Sequence, residues 1–496
     1  MEHLIIAPVL IPAFAGMLLL LEVRNRQWLR RATGAVSVTL LLVTAGLLFQ
    51  NASQGAIEVY QIGDWRAPFG IVLVLDRLSA FMVLLVALLA IPAFLYACRG
   101  DDRAGPNFHG LFQLQLMGIN GAFLTGDLFN LFVFFEVLLI ASYGLALHGH
   151  GPDRVKAGIH YVALNLIGSA LFLIALALVY GTTGTLNMAD FAVKVAQLDG
   201  DARSLAQIAG LLLWIVFGLK AALFPLYFWL PATYANATAP VAALFAIMTK
   251  VGVYAIIRVY GLAFTDGPLA GLGRDPLWIV ALVTLVLASA GVLSARRLGE
   301  MVAFLVIFSV GTLVAGVAWG SPEALAASLY YLMHTTLISA GLFLLADMIG
   351  RGRGELGDRL CAGPAPANAG LLSGLFFFAA VAVIGLPPLS GFVGKATLLQ
   401  AVPAPLYWVF LLAGSLFALI GLSRAGSTLF WRNSGDTVVS TMDSGRLLAT
   451  VALLAAALVL VICGESVLRV TASIAAQWSQ PELYIEAVLN RDGGRP

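Results

Sequence analysis

Apolar runs of about twenty residues, separated by short polar stretches, recur from one end of the chain to the other. They fall at roughly 3–21, 33–50, 71–97, 109–125, 128–147, 158–180, 206–230, 240–262, 277–294, 301–319, 323–349, 369–399, 404–429 and 447–464. A run of ~20 residues spans the ~30 Å core of a bilayer as a helix. The runs exceed the ~10 residues of a membrane barrel strand and do not alternate polar with apolar, which argues against a β-barrel. The pattern predicts an all-α polytopic membrane protein of about fourteen transmembrane helices. Segments 181–205 and 466–491 are more polar and are expected at or outside the membrane surface. Glu2 and His3 precede the first run where a secretory signal would carry basic residues, so that run is read as the first helix.

Composition supports this reading. Of 496 residues, 60% are hydrophobic and 11% charged, against about 45–50% and about 25% in soluble domains. A soluble enzyme is excluded. The net charge of +2 gives no nucleic-acid footprint. Cys98, Cys361 and Cys463 are scattered, with no CxxC pair, and suggest neither a disulfide framework nor a metal site. His148 and His150 in "HGHG" fall short of a metal-ligand spacing. Without a phosphate loop there is no visible support for ATP hydrolysis.

The basic residues orient the chain. Odd-numbered loops hold sixteen, from Arg24 to Arg446, and the other side holds nine, including Arg258, Arg491 and Arg495. Positive residues favour the cytoplasm. Both termini are therefore expected outside, which requires an even number of spans. The remaining three basic residues are Lys220, Lys250 and Lys395, each inside a predicted span. The chain has 23 arginines and five lysines, yet the mid-span cations are all lysine. Arginine cannot lose its proton at accessible pH, whereas a desolvated lysine can. That choice suits a proton relay.

Glu136, in "GDLFNLFVFFEVLLIASYGL", is the one acid deep in a span, ~12 Å from the end of span 5 at 1.5 Å per residue. A charge at the bilayer centre costs at least ~2.5–3.5 kcal/mol, so it is expected to face the bundle and pair with a lysine. A structural ion pair would account for one acid and one lysine. It leaves two further lysines and the mid-span His334 unmatched. A neutral histidine donates and accepts, so it can pass protons.

Lys220 is followed by Pro225, and Lys395 follows Gly385, Pro387, Pro388 and Gly391 in "GLPPLSGFVGK". These prolines predict helix breaks beside both lysines. Span 12 would be ~46 Å long if straight, well beyond the ~30 Å core, which also asks for a break. Spans 4–8 and 9–13 form two five-helix units with the broken lysine helix fourth in each, and an odd number of crossings makes the repeats inverted. The expected organisation is residues 1–108 (spans 1–3), 109–262 and 263–430 (the two repeats), and 431–496 (span 14 and a surface segment). The correspondence is incomplete: the lysine precedes the proline in span 7 and follows it in span 12, and neither Glu136 nor Lys250 has a counterpart.

Together these residues resemble the antiporter-like subunits, which include Mrp-type cation/proton antiporter subunits and the proton-pumping membrane subunits of respiratory complex I. "GDLFNLFVFFEVLLIASYGL", "FPLYFWLPATY", "TKVGVYAIIR" and "GLPPLSGFVGK" look most like the D subunit of the Mrp complex. The lysine at position 395 stands where the middle complex I subunit typically has a glutamate. About thirty residues follow span 14, too few for the lateral helix or extra helices of longer relatives. The resemblance implies a Glu136–Lys220 pair in a first half-channel, Lys250 as connector, His334 extending the path and Lys395 at the outlet. It also implies no cofactor, a hetero-oligomer with other Mrp-type subunits in the bacterial cell membrane, and exchange of protons for Na⁺ or K⁺.

Ammonium has donors only and cannot coordinate Na⁺, so the chain is expected to carry the proton leg. Two rivals use the same residues. One is a pump subunit of a complex I-type or hydrogenase complex, with its redox centres in other subunits. The other is a non-transporting scaffold in which the buried charges organise assembly.

Overall fold

A computed structural model of the chain describes residues 2–22, 26–366, 368–432 and 442–489. Arg24, Arg491 and Arg495, used above for orientation, lie outside the described residues. Twenty α-helices follow in order: α1 (Ala7–Leu21), α2 (Gln27–Ser53), α3 (Arg77–Ala97), α4 (Phe108–Leu124), α5 (Leu128–Ala146), α6 (Pro152–Thr183), α7 (Met188–Val195), α8 (Gly200–Ala221), α9 (Trp229–Asn236), α10 (Ala239–Phe245), α11 (Met248–Ala263), α12 (Arg274–Ser294), α13 (Leu298–Trp319), α14 (Pro322–Arg351), α15 (Ala369–Ile384), α16 (Ser390–Ala401), α17 (Pro405–Gly426), α18 (Ser444–Ile462), α19 (Gly464–Trp478) and α20 (Pro481–Leu489).

Eleven stretches of the described residues are long and apolar enough to cross a membrane, α10 and α11 counting as one. The remaining three expected spans correspond to α1, α4 and α15, of 15, 17 and 16 residues. α1 and α15 are apolar but short. α4 is diluted by His109, Gln113, Gln115 and Asn120, all buried. The wholly helical expectation also missed one feature: strands β1 (Glu58–Gln61) and β2 (Val72–Leu75) pair antiparallel between α2 and α3.

The helices most enclosed by this chain are α10–α11, α13 and α14. They form the axis of the bundle and hold Lys250 and His334. α2 and α6 instead expose apolar side chains such as Val43, Ile159 and Ile167, which suits lipid or a neighbouring subunit.

Charged clusters close both ends. At one, Asp102 accepts from Arg31 (2.8 and 2.9 Å) and pairs with His109, while the adjacent Asp101 accepts from Arg351 and Arg446. Asp347 accepts from Tyr96 and Arg351, because α14 carries it against α3. At the other end Asp76 caps α3 and grips Arg258 of α11 through two hydrogen bonds of 2.6 and 2.7 Å. Arg258 was assigned to an exterior loop, but it is buried within α11. Burial alone would raise the Asp76 carboxyl; the Arg258 charge and hydrogen bonds outweigh that and hold it below the usual range. The amphipathic α19 straps the same end, with Gln477 accepting from the Arg77 amide and Trp478 donating to Ile257.

Candidate functional site

Both lysine-bearing spans are interrupted. α8 stops one residue after Lys220, its C-cap Ala222 left-handed at φ 61°, and helix resumes only at Trp229. Pro225 lies in the gap. α15 stops at Ile384 with Gly385 at φ 86°, a conformation glycine adopts without strain. Pro387 and Pro388 occupy the gap before Ser390. Span 8 has a lighter interruption at Ala246–Ile247 that the sequence did not announce, one turn before Lys250.

Glu136 and Lys220 do not form a direct ion pair. α6 stands between them. The Lys220 ammonium donates to Asn165 Oδ1 at 3.1 Å and lies 5.9 Å from the Phe135 ring. Asn165 Nδ2 is anchored on the Tyr161 carbonyl at 2.9 Å, which turns Oδ1 toward the lysine. One turn on, the Ser169 hydroxyl donates to the Glu136 carboxylate and also has the Asn165 carbonyl within 3.0 Å. Lys220, Asn165 and Ser169 are buried, whereas Glu136 is only half-covered. The carboxylate turns onto α6, as expected of a charge facing the bundle, but meets a serine in place of a lysine.

Lys250 is fully buried, and its ammonium donates to Ser309 Oγ of α13 at 3.4 Å. Two residues on, Gly252 lets α11 touch α8 at the Lys220 peptide. A Cβ there would clash with the Ala221 nitrogen. That contact brings the backbones of the first two lysines together.

His334 Nδ1 pairs with Ser390 Oγ at 2.8 Å, at the start of α16, and its ring stacks on Tyr331. Lys395 sits one turn further along α16. Its ammonium donates to the carbonyls of Ile384 (2.7 Å) and Val383 (3.2 Å) and to Ser415 Oγ of α17 (2.8 Å). The Phe308 ring lies 5.1 Å away. The lysine therefore satisfies two carbonyls that the break in α15 leaves without helical partners.

Among the described residues no carboxylate lies within ion-pair distance of Lys220, Lys250 or Lys395. The one lysine so paired is Lys194, on the surface helix α7. Sequence reasoning named the charges but not the neutral groups that hold them: Asn165, Ser169, Ser309, Ser390 and Ser415. Asn165 and Ser169, four apart in an apolar run, were the one pair with a readable signal.

Comparison with known proteins gives the lineage. The family described as NADH:quinone oxidoreductase/Mrp antiporter, TM, matches residues 125–421. The D subunit of a probable K(+)/H(+) antiporter of Rhizobium meliloti is 42% identical over 478 residues, 88% of each chain. The D subunit of the Na(+)/H(+) antiporter of Alkalihalophilus pseudofirmus is 35% identical over 497 residues, covering 99% of this chain and 100% of the relative. A chain in the structure of the Mrp complex from Dietzia superposes with a TM-score of 0.87 at 26% identity, over 99% of this chain and 100% of that one. The chain belongs to the NADH:quinone oxidoreductase/Mrp antiporter membrane family, within its antiporter D-subunit branch: it is a transporter subunit, not an enzyme.

Proposed function

We propose that the chain is the proton-translocating subunit of a multisubunit Na⁺ or K⁺/proton antiporter, passing protons along Glu136, Lys220, Lys250, His334 and Lys395. One observation carries this reading. Three lysines are buried at membrane depth and held by neutral oxygens, with no carboxylate among the described residues in ion-pair distance. A structural role would favour a paired charge, because an unpaired one costs several kcal/mol. A lysine kept on neutral acceptors can release its proton and take it back.

The interrupted helices support fourteen crossings: α1–α6, α8–α9, α10–α11, α12, α13, α14, α15–α16, α17 and α18. Within these, residues 109–262 and 263–430 form inverted units with broken fourth members, and both termini lie outside a bacterial cell membrane. The half-covered Glu136 supports assembly with other subunits, since a carboxylate at membrane depth needs its open side closed. The printed names of the two relatives differ in cation, K⁺ in one and Na⁺ in the other.

The membrane potential supplies ~2.3 kcal/mol per charge per 100 mV. Glu136, linked to Lys220 through Ser169 and Asn165, holds the lysine's charge, and proton arrival at Glu136 relaxes that hold. The test is ion exchange in everted vesicles carrying the assembled complex. Lys220→Ala is expected to abolish proton exchange with Na⁺ and K⁺ while leaving subunit assembly intact. Full exchange in that variant would remove Lys220 from the path. Co-purification with iron–sulfur or flavin subunits would transfer the chain to a redox pump.

A further inference from the structure

The ligands of Lys395 are all oxygens: two main-chain carbonyls at the end of a half-helix and one hydroxyl. The end of α15 adds the negative pole of its peptide dipoles. An aromatic face, Phe308, closes another side. Nothing in this cage is specific for nitrogen. Carbonyl and hydroxyl oxygens converging on a single positive charge are also the ligands of alkali-metal ions, and carbonyls at helix breaks coordinate such ions in other transporters.

We propose that this cage, formed by Val383 O, Ile384 O and Ser415 Oγ, is a site for an alkali-metal cation, which the Lys395 ammonium and the free ion occupy in turn. The inference rests on the antiport reading and gives it a place where proton and cation meet. When Lys395 gives up one proton, the ammonium becomes a neutral amine, and one monovalent cation enters. When a proton returns, the ammonium reforms and the cation leaves. One positive charge occupies the cage in either state. The bare ammonium cannot bind a cation, but its oxygen cage can, and the neutral amine has a lone pair to add as a further ligand.

The contacts of 2.7–3.2 Å fit a large monovalent ion. These distances suit K⁺ or Rb⁺ better than Na⁺, for which the oxygens would have to close in further.

The surroundings favour this alternation. His334 on α14 reaches the start of α16 through Ser390, five residues before Lys395. Tyr331, also on α14, flanks Gly394. α13 contributes the Phe308 ring, α15 its carbonyls and α17 Ser415. α18, also packed on α16, has Arg446 as its one ionisable side chain, in its first turn against Asp101. Among the described residues no acid approaches the cage to hold a cation permanently. Lys220, by contrast, meets a single amide oxygen and offers no such cage.

The test is equilibrium binding of ⁸⁶Rb⁺ to the purified, assembled complex at pH 6 and pH 9. Lys395→Ala is expected to bind one additional Rb⁺ per complex at pH 6, displaced by K⁺ more readily than by Na⁺. Adding Ser415→Ala should weaken that binding about tenfold, because one of three ligands to a charge is lost. Lys395→Arg keeps a permanent cation in the cage and should bind no Rb⁺ there at either pH. An assembled Lys395→Ala complex with no additional Rb⁺, or one indifferent to Ser415→Ala, overturns the proposal. Should Lys395→Ala fail to assemble, Lys395→Arg decides: unchanged pH-dependent Rb⁺ binding overturns the cage. Binding and exchange are read separately. Additional Rb⁺ in Lys395→Ala, alongside full exchange in Lys220→Ala, keeps the cage and removes the relay; the converse pair of results does the reverse.

Discussion

Asn165 presents its carbonyl oxygen, and not its amide nitrogen, to the ammonium of Lys220. An amide oxygen accepts a hydrogen bond but does not carry a proton onward at ordinary pH. The residue thus couples the Lys220 charge to Glu136 through Ser169 without joining the two in an ion pair. Asn165→Asp has the same shape but places a carboxylate on the lysine. The expected result is an assembled complex in which the ammonium is locked, with proton exchange reduced roughly ten- to a hundredfold, as a charge-assisted hydrogen bond of ~1.5–3 kcal/mol implies. Exchange in everted vesicles, beside a subunit-stoichiometry gel, checks it; wild-type rates in the variant would contradict the coupling role.

The Asp76–Arg258 pair makes a different kind of prediction, on stability. Both side chains are buried, and Arg258 also lies between the Tyr254 and Tyr484 rings. Asp76→Asn leaves the guanidinium uncompensated and should cost about 3–5 kcal/mol. Because the folded state depresses the Asp76 carboxyl, the stabilisation is complete above the ordinary carboxylate range and is lost as pH falls through the folded value. The deficit in melting temperature of the detergent-solubilised complex should therefore be constant from pH 6 to pH 9. A deficit that shrinks within that window would point to another group.

The three cysteines report orientation. Cys463 is exposed at the end of α18, and Cys361 is partly covered between α14 and α15. Burial, helped by the Asp102 charge, pushes the Cys98 thiol up to about 12. With both termini outside, a membrane-impermeant maleimide on right-side-out vesicles should label Cys463 and spare Cys361, which becomes reactive once the membrane is opened. Cys98 should remain slow in either case, with about three orders of magnitude less thiolate than a free cysteine of pKa ~8.5. Labelling of Cys361 in sealed vesicles would reverse the orientation.

Much of the frame can be read from the chain because the bilayer enforces a simple rule, and the apolar runs obey it. Lysines stand out against that background, as do prolines beside them. The run at 109–125 was read correctly as α4 although its buried glutamines and asparagine, which serve interhelical contacts as where Gln113 accepts from Ser37, dilute it. The β1–β2 hairpin was missed because "VLVL" merges with the apolar run of α3, and nothing local announces its strand partner. Among the polar contacts, Ser309 and Ser415 look like any serine that folds its hydroxyl back onto its own helix, and both do so. Only the crossing of helices gives them a second role at Lys250 and Lys395. The Arg258 reading failed for a related reason. Loop arginines and buried arginines look alike until the acid that accompanies them, here 182 residues away, is brought alongside.

The strap of α19 across one end of the bundle has a mechanical meaning. It ties the start of α3 through Gln477 and the body of α11 through Trp478, and Gly261 leaves room for that indole. A transporter that worked by rocking one half against the other would have to break this tie in every cycle. In the proposed relay the moving parts are lysine side chains, whose rotations take picoseconds to nanoseconds when unhindered, against microseconds to milliseconds for domains. The chain is then closer to a fixed circuit board than to a hinge: the helices stay in place, and the positions that change are those of a few ammonium groups.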